Sequence, residues 1–335
     1  AASDVYKRQT KWGKIEDMVM SLEVVTPTGE IINTLPIPRH ASGPDLTMMF
    51  LGSEGTLGVI TKVTLKIHPI PEARKFRAYL FKDFHTAMSA GADLMRSRLR
   101  PCAVRLYDET ETRTHVQKVF GIDIDSGAYL VFGFDGREKI VDLEMEYARE
   151  IMEKKYKGRD LGSKGGDLWW NNKYKFFYPG YMMDIPQMFG TMDTIAPYGK
   201  IEEIYRAMKE AIETNFPQAK FIAHFSHWYE WGCMLYARFI FEGKDVPQDA
   251  DEAAALYNKV WDVAIREAIA NGGIDDGEEA LGLLFLSSIS WLHYTAITQP
   301  TPVPADSNPR ITWGKYAPVP YTHLRAHETL ANLVC

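Results

Sequence analysis

The sequence predicts an α+β fold in two parts: a short β-rich part followed by a larger antiparallel α+β layer of ferredoxin-like type. The first observation is a run with a period of two at residues 62–67, which is stopped by His68-Pro69-Ile70-Pro71. Because prolines interrupt sheets, this segment is the clearest domain boundary in the chain. The second observation is that residues at helical spacing then alternate with strand-length apolar runs, which favours helices layered on a sheet.

The β-rich part is predicted to contain a hairpin and one further strand. Residues 18–25 alternate between apolar and polar side chains and reach turn residues at 26–29, which predicts pairing with residues 30–32. The run at 62–67 places three apolar side chains on one face, and we therefore expect a half-buried strand there. Those side chains are Val63, Leu65 and Ile67.

The larger part is predicted to contain four helices and four strands. The helices are expected at residues 84–99, 140–156, 200–214 and 249–271, and the strands at residues 103–107, 129–134, 219–227 and 233–242. Gly272-Gly273 closes the last helix. No internal sequence repeat is visible, and the periodicity fades after Gly273.

Composition and charge are those of an ordinary folded protein. The chain has 335 residues, a hydrophobic fraction of 46% and a net charge of −6, so it has no general attraction for nucleic acid. The basic stretch at residues 154–159 is interpreted as a solvated helix end. The longest apolar run, residues 280–286, is far shorter than the ~20 residues of a membrane crossing. We expect a small-molecule substrate, no nucleic acid and no integral membrane segment, and we leave a homodimer open.

Cysteine and histidine usage argues against a metal site. The 3 cysteines are too few and too scattered for a disulfide framework or a zinc cluster, and they favour a reducing, cytoplasmic location. His224 and His227 are three apart on a predicted strand, so they should point to opposite faces and make a poor metal pair. We predict no bound metal.

A glycine-rich turn is the sharpest motif. It lies between a short helix predicted at residues 46–50, which Asp45 can cap, and the strand at residues 62–67. Glycine permits positive φ and close approach of a ligand, and exposed amides in such a turn can donate to flavin or pyrophosphate oxygens. Spacing alone also fits a bulged hairpin, and the helix–turn–strand order is the reverse of the dinucleotide fingerprint, which argues against a Rossmann site. The residues are Gly52, Ser53, Glu54, Gly55, Thr56, Leu57, Gly58, Val59 and Ile60.

This segment, continued to Thr61, resembles the end of the PCMH-type FAD-binding domain in the vanillyl-alcohol-oxidase superfamily. The likeness runs from Gly13 to about Gly273 and includes the strings at residues 42–46, 101–108 and 226–236. Within the superfamily it is to the FAD-linked oxidases, namely D-lactate and glycolate dehydrogenases and alkyldihydroxyacetonephosphate synthase. The resemblance implies FAD as cofactor, contacted by the main chain of the glycine-rich turn. It also implies the C-terminal part of the FAD-binding domain at residues 10–70 and a substrate cap domain at residues 71–320.

Two residues of the cap are candidates for chemistry. Arg105 lies on the strand at residues 103–107, where its guanidinium fork suits a carboxylate or phosphate. The residues alone equally allow a surface pair with Asp108 or Glu109, and the resemblance favours the active site. Tyr236 is core packing by the residues alone, whereas the resemblance implies a catalytic acid or base.

Two histidines and two lysines complete the candidate set. One of His224 and His227 is expected to face the flavin as a base, and the other to be structural. Lys173 and Lys175 fall near where the family often has a substrate-binding arginine, although lysine lacks the bidentate fork.

Both ends of the chain have an unusual character. Residues 1–9 and 321–335 resemble peptides translated from sequencing-adapter reads, with native tails as the alternative, and we leave them out of the fold. On the first interpretation the gene is truncated at both ends, and we expect this stretch of chain alone to be inactive. After Gly273 the family's histidine-rich segment is replaced by residues 274–280, through either a frameshift or divergence.

The leading functional prediction is an FAD-dependent oxidoreductase that removes a hydride from a small 2-hydroxy acid. Arg105 would hold the acid group, and His224, His227 or Tyr236 would take the hydroxyl proton. The first alternative is an ether-lipid enzyme like alkyldihydroxyacetonephosphate synthase. The motifs at Arg105 and Tyr236 favour that branch by resemblance, but the sequence assigns too few cations for a phosphate. The second is a non-catalytic α+β module, against which the specific glycine segment argues.

Overall fold

The computed structural model describes residues 9–37, 43–53, 55–173, 187–271 and 293–294. The chain divides into two compact units between Pro71 and Glu72. Among the described residues, every helix is too short or too polar to cross a membrane.

The first unit is built on a three-stranded antiparallel sheet with the order β2-β1-β3. Asp45 caps α3 as predicted, because its carboxylate accepts from the amides of Thr47 and Met48. A small core forms where one face of β1 meets α3, from Val19, Leu22, Val24 and Phe50. The elements are α1 (Gln9–Trp12), α2 (Ile15–Met18), β1 (Val19–Val25), β2 (Ile31–Asn33), α3 (Leu46–Phe50) and β3 (Val59–Leu65).

The prediction of a half-buried strand at residues 62–67 is wrong in its burial. The strand exists as β3, but every one of its residues is exposed, and Ile67 beyond it is 88% exposed. The reason is that β3 is an edge strand, and the core of this unit is supplied by β1 and α3. A period of two reports which side chains share a face, and says nothing about what covers that face.

The second unit contains an eight-stranded sheet with the order β11-β8-β10-β9-β5-β6-β4-β7. Its strands are β4 (Ala73–Phe81), β5 (Ala103–Tyr107), β6 (Ala128–Gly136), β7 (Arg159–Leu161), β8 (Gln187–Pro197), β9 (Lys220–Ser226), β10 (Gly232–Glu242) and β11 (His293–Tyr294). Its helices are α4 (Phe84–Arg96), α5 (Glu109–Glu111), α6 (Gln117–Phe120), α7 (Glu138–Arg149), α8 (Gly162–Asn172), α9 (Tyr198–Asn215) and α10 (Ala250–Asn271), with π-helical turns at Thr112–Val116 and Glu150–Lys155 and a 3-10 turn at Gly243–Asp245.

The same topology occurs twice in the large unit. The first half runs β4-α4-β5-β6-α7-β7 with the sheet order β7-β4-β6-β5, and the second runs β8-α9-β9-β10-α10-β11 with the order β11-β8-β10-β9. Each half is a ferredoxin-like βαββαβ unit, which confirms the predicted fold class. The halves join through an antiparallel pairing of β5 with β9, in which Leu106 lies opposite Phe225 and Tyr107 opposite His224.

The two faces of the large sheet differ in what covers them. One face carries the main apolar core, to which α4, α7, α9 and α10 contribute, and the side chains of Leu106, Phe225 and Leu235 point into it. The other face packs against α8 and the segment from α5 to α6, and includes Tyr107, Tyr129 and Trp169. Since neighbouring residues of a strand alternate faces, the candidate residues Arg105, His224 and Tyr236 belong to this second face.

Helix α8 approaches the sheet closely at Gly166. A Cβ added there would lie 2.6 Å from the main-chain atoms Arg77 N and Phe76 C. Three residues later, Trp169 donates from Nε1 to the hydroxyl of Tyr107 at 2.8 Å. The glycine thus permits the approach that places the indole on the face of the sheet that carries the candidate residues.

We expect Gly166→Ala to destabilise the protein by about 1–3 kcal/mol, because backbone atoms must shift to admit the methyl group. The matched control is Gly199→Ala in the first turn of α9, where a Cβ would meet nothing within 4 Å. Urea unfolding midpoints of the two variants provide the measurement. Equal midpoints would show that α8 can move away from β4 at no cost.

Candidate active site

A row of polar side chains crosses the junction between the two halves of the large sheet. Tyr107 on β5 pairs with His224 on β9, which in turn pairs with Tyr236 on β10. Cross-strand partners lie on one face of a sheet, and the residues two positions away on β5 and β10, Arg105 and Arg238, share that face. The ring of His224 stacks on that of Tyr236 at 4.7 Å between centroids and lies 5.5 Å from that of Tyr107.

The segment after β5 adds a buried carboxylate to this row. Asp108 starts the turn, since its carboxylate accepts from the amide of Glu111 at 2.7 Å and from the hydroxyl of Tyr205 at 3.1 Å. Glu111 is 1% exposed and contacts Nδ1 of His224 at 3.1 Å. It also forms an ion pair with Arg238. The chain continues as a π-helical turn, an uncommon conformation that is frequent at functional sites.

The pKa values of these groups are strongly displaced. Burial by itself raises the pKa of Glu111, but the charge of Arg238 and the contact with His224 outweigh it and hold that pKa well below its ordinary value. Burial lowers the pKa of His224 to about 4, although Glu111 opposes the shift, and burial lowers that of His115 to about 3. Both imidazoles are therefore neutral near pH 7, and the contact between His224 and Glu111 is a hydrogen bond from a neutral imidazole to a carboxylate.

Arg105 is a buried cation on the polar face of the sheet. It is 6% exposed, and among the described residues no carboxylate forms an ion pair with it. The alternative of a surface pair with Asp108 or Glu109 is wrong, because Asp108 is occupied as above and Glu109 accepts from the amide of Phe84 at 2.8 Å. A buried guanidinium without a counter-ion is costly, which makes Arg105 a candidate for binding an anion.

The remaining candidates are placed less directly. His227 lies past the end of β9 with a positive φ of 49° and shares a hydrogen bond with Ser226 at 3.0 Å. Lys173, at the end of α8, donates to the carbonyl of Trp170 at 3.0 Å and lies over its ring. Lys175 lies outside the described residues. Among those that are described, no group of three or more His, Cys, Asp or Glu side chains is arranged to hold a metal ion.

The glycine-rich turn of the first unit presents an open, partly apolar surface. A Cβ at Gly52 or Gly55 would meet nothing within 4 Å, whereas Leu57, Val59 and Ile60 are 40%, 65% and 39% exposed. Such a surface fits one wall of a site for a flat aromatic ring, so the residues present suit a flavin.

At Gly58 the neighbouring strand β1 leaves no room for a side chain. A Cβ there would lie 2.7 Å from the carbonyl oxygen of Val25, so β1 already excludes a side chain. Two amides of the turn, those of Ser53 and Thr56, bond to carbonyls within the segment or just before it. Glu54 lies outside the described residues.

Sequence reasoning missed Glu111, His115 and Arg238. Arg238 had a usable signal, since it is a charged residue in an otherwise apolar strand, two positions from Tyr236. Glu111 had none, because it is one of several acidic residues after β5 and its partners lie more than 100 positions away.

Comparison with known proteins agrees with the family resemblance of the sequence. The family model for the C-terminal domain of FAD linked oxidases matches residues 70–284. Alkyldihydroxyacetonephosphate synthase of Dictyostelium discoideum is 30% identical over 271 residues, covering 71% of this chain and 43% of the relative. Mitochondrial D-lactate dehydrogenase (cytochrome) of Arabidopsis thaliana is 26% identical over 277 residues, covering 81% of this chain and 47% of the relative. A solved structure of an alkyldihydroxyacetonephosphate synthase superposes with a TM-score of 0.66 at 26% identity, covering 82% of this chain and 53% of that one. The chain thus spans about half the length of the proteins it matches.

The displaced pKa values predict how stability changes with pH. Those of His224 and His115 lie at about 4 and about 3, below the ordinary 6.5, so between about pH 4 and 6.5 the unfolded chain binds two protons that the folded protein does not. Asp108 acts with the opposite sign, because burial raises its pKa from 3.8 to about 7. The unfolded chain therefore binds a net one proton more than the folded protein. We expect the free energy of unfolding to rise by roughly 1.4 kcal/mol per pH unit as the pH increases through this window.

His115→Gln should flatten this dependence, because it removes one of the two histidine contributions. Urea unfolding at pH 5 and pH 7 measures the difference, with His85→Gln as the control, since the side chain of His85 is 66% exposed. A steep slope that survives His115→Gln would contradict the assignment of a neutral, buried imidazole.

Proposed function

The chain belongs to the FAD-linked oxidases, as its sequence resemblance predicted, and from this premise we propose that the full-length protein oxidises a small 2-hydroxy acid of the D-lactate or glycolate type. The observation that carries the proposal is the buried Arg105, for which the described residues provide no counter-ion. A substrate carboxylate supplies that charge and can accept two parallel hydrogen bonds from the guanidinium.

In this proposal His224 takes the proton of the substrate hydroxyl. It lies on the same face as Arg105 and is neutral near pH 7, which is the form that can accept a proton. The charge of Arg105 is one of the causes that lower the pKa of His224. A carboxylate bound to Arg105 offsets that charge, so substrate binding raises the pKa of the base at the moment when it is needed.

FAD, when bound, supplies the hydride acceptor. The residues of this chain bind and orient the substrate and exclude water. The open surface of the glycine-rich turn, from Gly52 to Ile60, would hold part of the flavin through the main chain. In the cap, Trp169 fixes Tyr107 beside His224, which keeps the proton acceptor in a largely buried environment.

An ether-lipid reaction like that of alkyldihydroxyacetonephosphate synthase is the second candidate. Its support is Tyr236, which stacks on His224 and matches the tyrosine that the sequence resemblance assigns as acid or base. Arg238 adds a second buried arginine for a phosphate ester, although Glu111 already neutralises it.

Anaerobic reduction of the flavin separates these proposals in the full-length protein. Loss of the oxidised flavin absorbance on mixing with D-lactate or glycolate supports the dehydrogenase. A flavin that stays oxidised across a panel of hydroxy acids, together with exchange of a fatty alcohol into an acylated dihydroxyacetone phosphate, supports the synthase. A full-length protein that purifies without flavin would exclude both and leave the non-catalytic module.

We expect Arg105→Met to lower kcat/KM for the hydroxy acid by roughly 30-fold or more, since loss of a buried charge contact costs at least about 2 kcal/mol. The effect should lie mainly in KM, because the arginine binds the substrate before and during the reaction. Arg113→Met is the control, since Arg113 is exposed on the neighbouring π-helical turn. Steady-state kinetics of both variants provide the measurement, and an unchanged KM in Arg105→Met would remove the arginine from the substrate site.

A further inference from the structure

Glu111 connects the proton acceptor to a second arginine. Its Oε1 lies 3.1 Å and its Oε2 3.2 Å from Nδ1 of His224, and it forms an ion pair with Arg238. The carboxylate is 1% exposed and Arg238 is 7% exposed, so neither charge is screened by bulk water.

An ionised carboxylate has only acceptors to offer. The contact at Nδ1 therefore requires that Nδ1 carries the proton, and a neutral imidazole with its proton on Nδ1 has an unprotonated Nε2. Arg238 keeps Glu111 ionised, because its positive charge favours the carboxylate form inside the protein.

The other polar groups described beside His224 have different contacts. Arg105 and Arg238 are donors only, and the hydroxyl of Tyr107 accepts from Trp169. The carboxylate of Asp108 accepts from the amide of Glu111 and from Tyr205. Tyr236 meets His224 ring against ring, 4.7 Å between centroids at an interplanar angle of 11°.

We propose that Glu111 is a positioning residue that holds the proton of His224 on Nδ1, so that Nε2 is the atom that receives the substrate proton. Arg238 serves this arrangement by pairing with Glu111. The inference rests on the proposed role of His224 as base, but the tautomer itself is a property of the resting protein and can be measured without substrate.

The direct test is nitrogen NMR of the full-length protein labelled with 15N-histidine. Protonated and unprotonated imidazole nitrogens resonate far apart, and the signals of His224 are those lost in His224→Gln. We expect Nδ1 of His224 to carry the proton in the wild type, and Glu111→Gln to move a large fraction of it to Nε2, because the amide can donate to Nδ1. A wild-type protein with the proton on Nε2 would overturn the inference and leave the proposed oxidation untouched.

The kinetic test separates positioning from binding. In Glu111→Gln we expect the rate constant of flavin reduction at saturating hydroxy acid to fall roughly 10²- to 10⁴-fold, with KM changed by less than about threefold. Glu109→Gln is the matched control, since Glu109 lies in the same helical turn and accepts from the amide of Phe84 instead. Flavin reduction at the wild-type rate in Glu111→Gln would refute the proposal.

A second variant covers the case in which Glu111→Gln fails to fold, because it leaves Arg238 buried without its carboxylate. The double variant Glu111→Gln with Arg238→Met removes both charges and keeps similar volumes. It should fold, show the same displaced proton on His224 and remain slow. A double variant that folds with Nδ1 of His224 still protonated would show that something other than Glu111 sets the tautomer.

Discussion

The pairing of β5 with β9 is the contact on which the arrangement of the large unit depends. It joins two βαββαβ halves, each of which has its own helices, into one sheet. Its register sets Tyr107 opposite His224 and Leu106 opposite Phe225. A slip by one residue would turn His224 toward the helical core and bring an apolar side chain into the polar row. The large aromatic residues on the core side, of which Phe225 is fully buried, make that slip expensive.

The junction also explains how buried charge can be tolerated. Glu111, Arg105 and Arg238 are all more than nine-tenths buried, and an ion pair in such a place rarely stabilises a protein more than apolar side chains of similar volume. A core selected for stability alone would have no need of them. Their concentration on one face, at the seam between the halves, supports the proposal that this face serves binding and chemistry.

Much of the fold was predictable from the sequence, because the helices and central strands have clear periodicity. The capped helix after Asp45 and the strand ending at Tyr107 lie where they were predicted. The exposure of β3 was not predictable, since burial depends on which neighbours cover a strand. The doubled βαββαβ topology was also hidden, because the halves share an order of elements and no visible sequence repeat.

The site was predictable only where a residue type is unusual in its own segment or where the family resemblance marks it. Arg105 and Tyr236 were named as candidates in this way, and His224 was named without its partner. The contact of Glu111 with His224 spans 113 positions and its pair with Arg238 spans 127. Local spacing carries no information on pairs of that separation, which the register of β5, β9 and β10 creates.

The two arginines of the polar row differ in a way that bears on the substrate. Arg238 is compensated by Glu111, and His224 is neutral near pH 7, whereas no described carboxylate forms an ion pair with Arg105. A single carboxylate neutralises one guanidinium, whereas a phosphate ester with two negative charges would place an excess negative charge in a buried setting. This difference between the two arginines supports the proposal of a monocarboxylic hydroxy acid as substrate over a phosphorylated one.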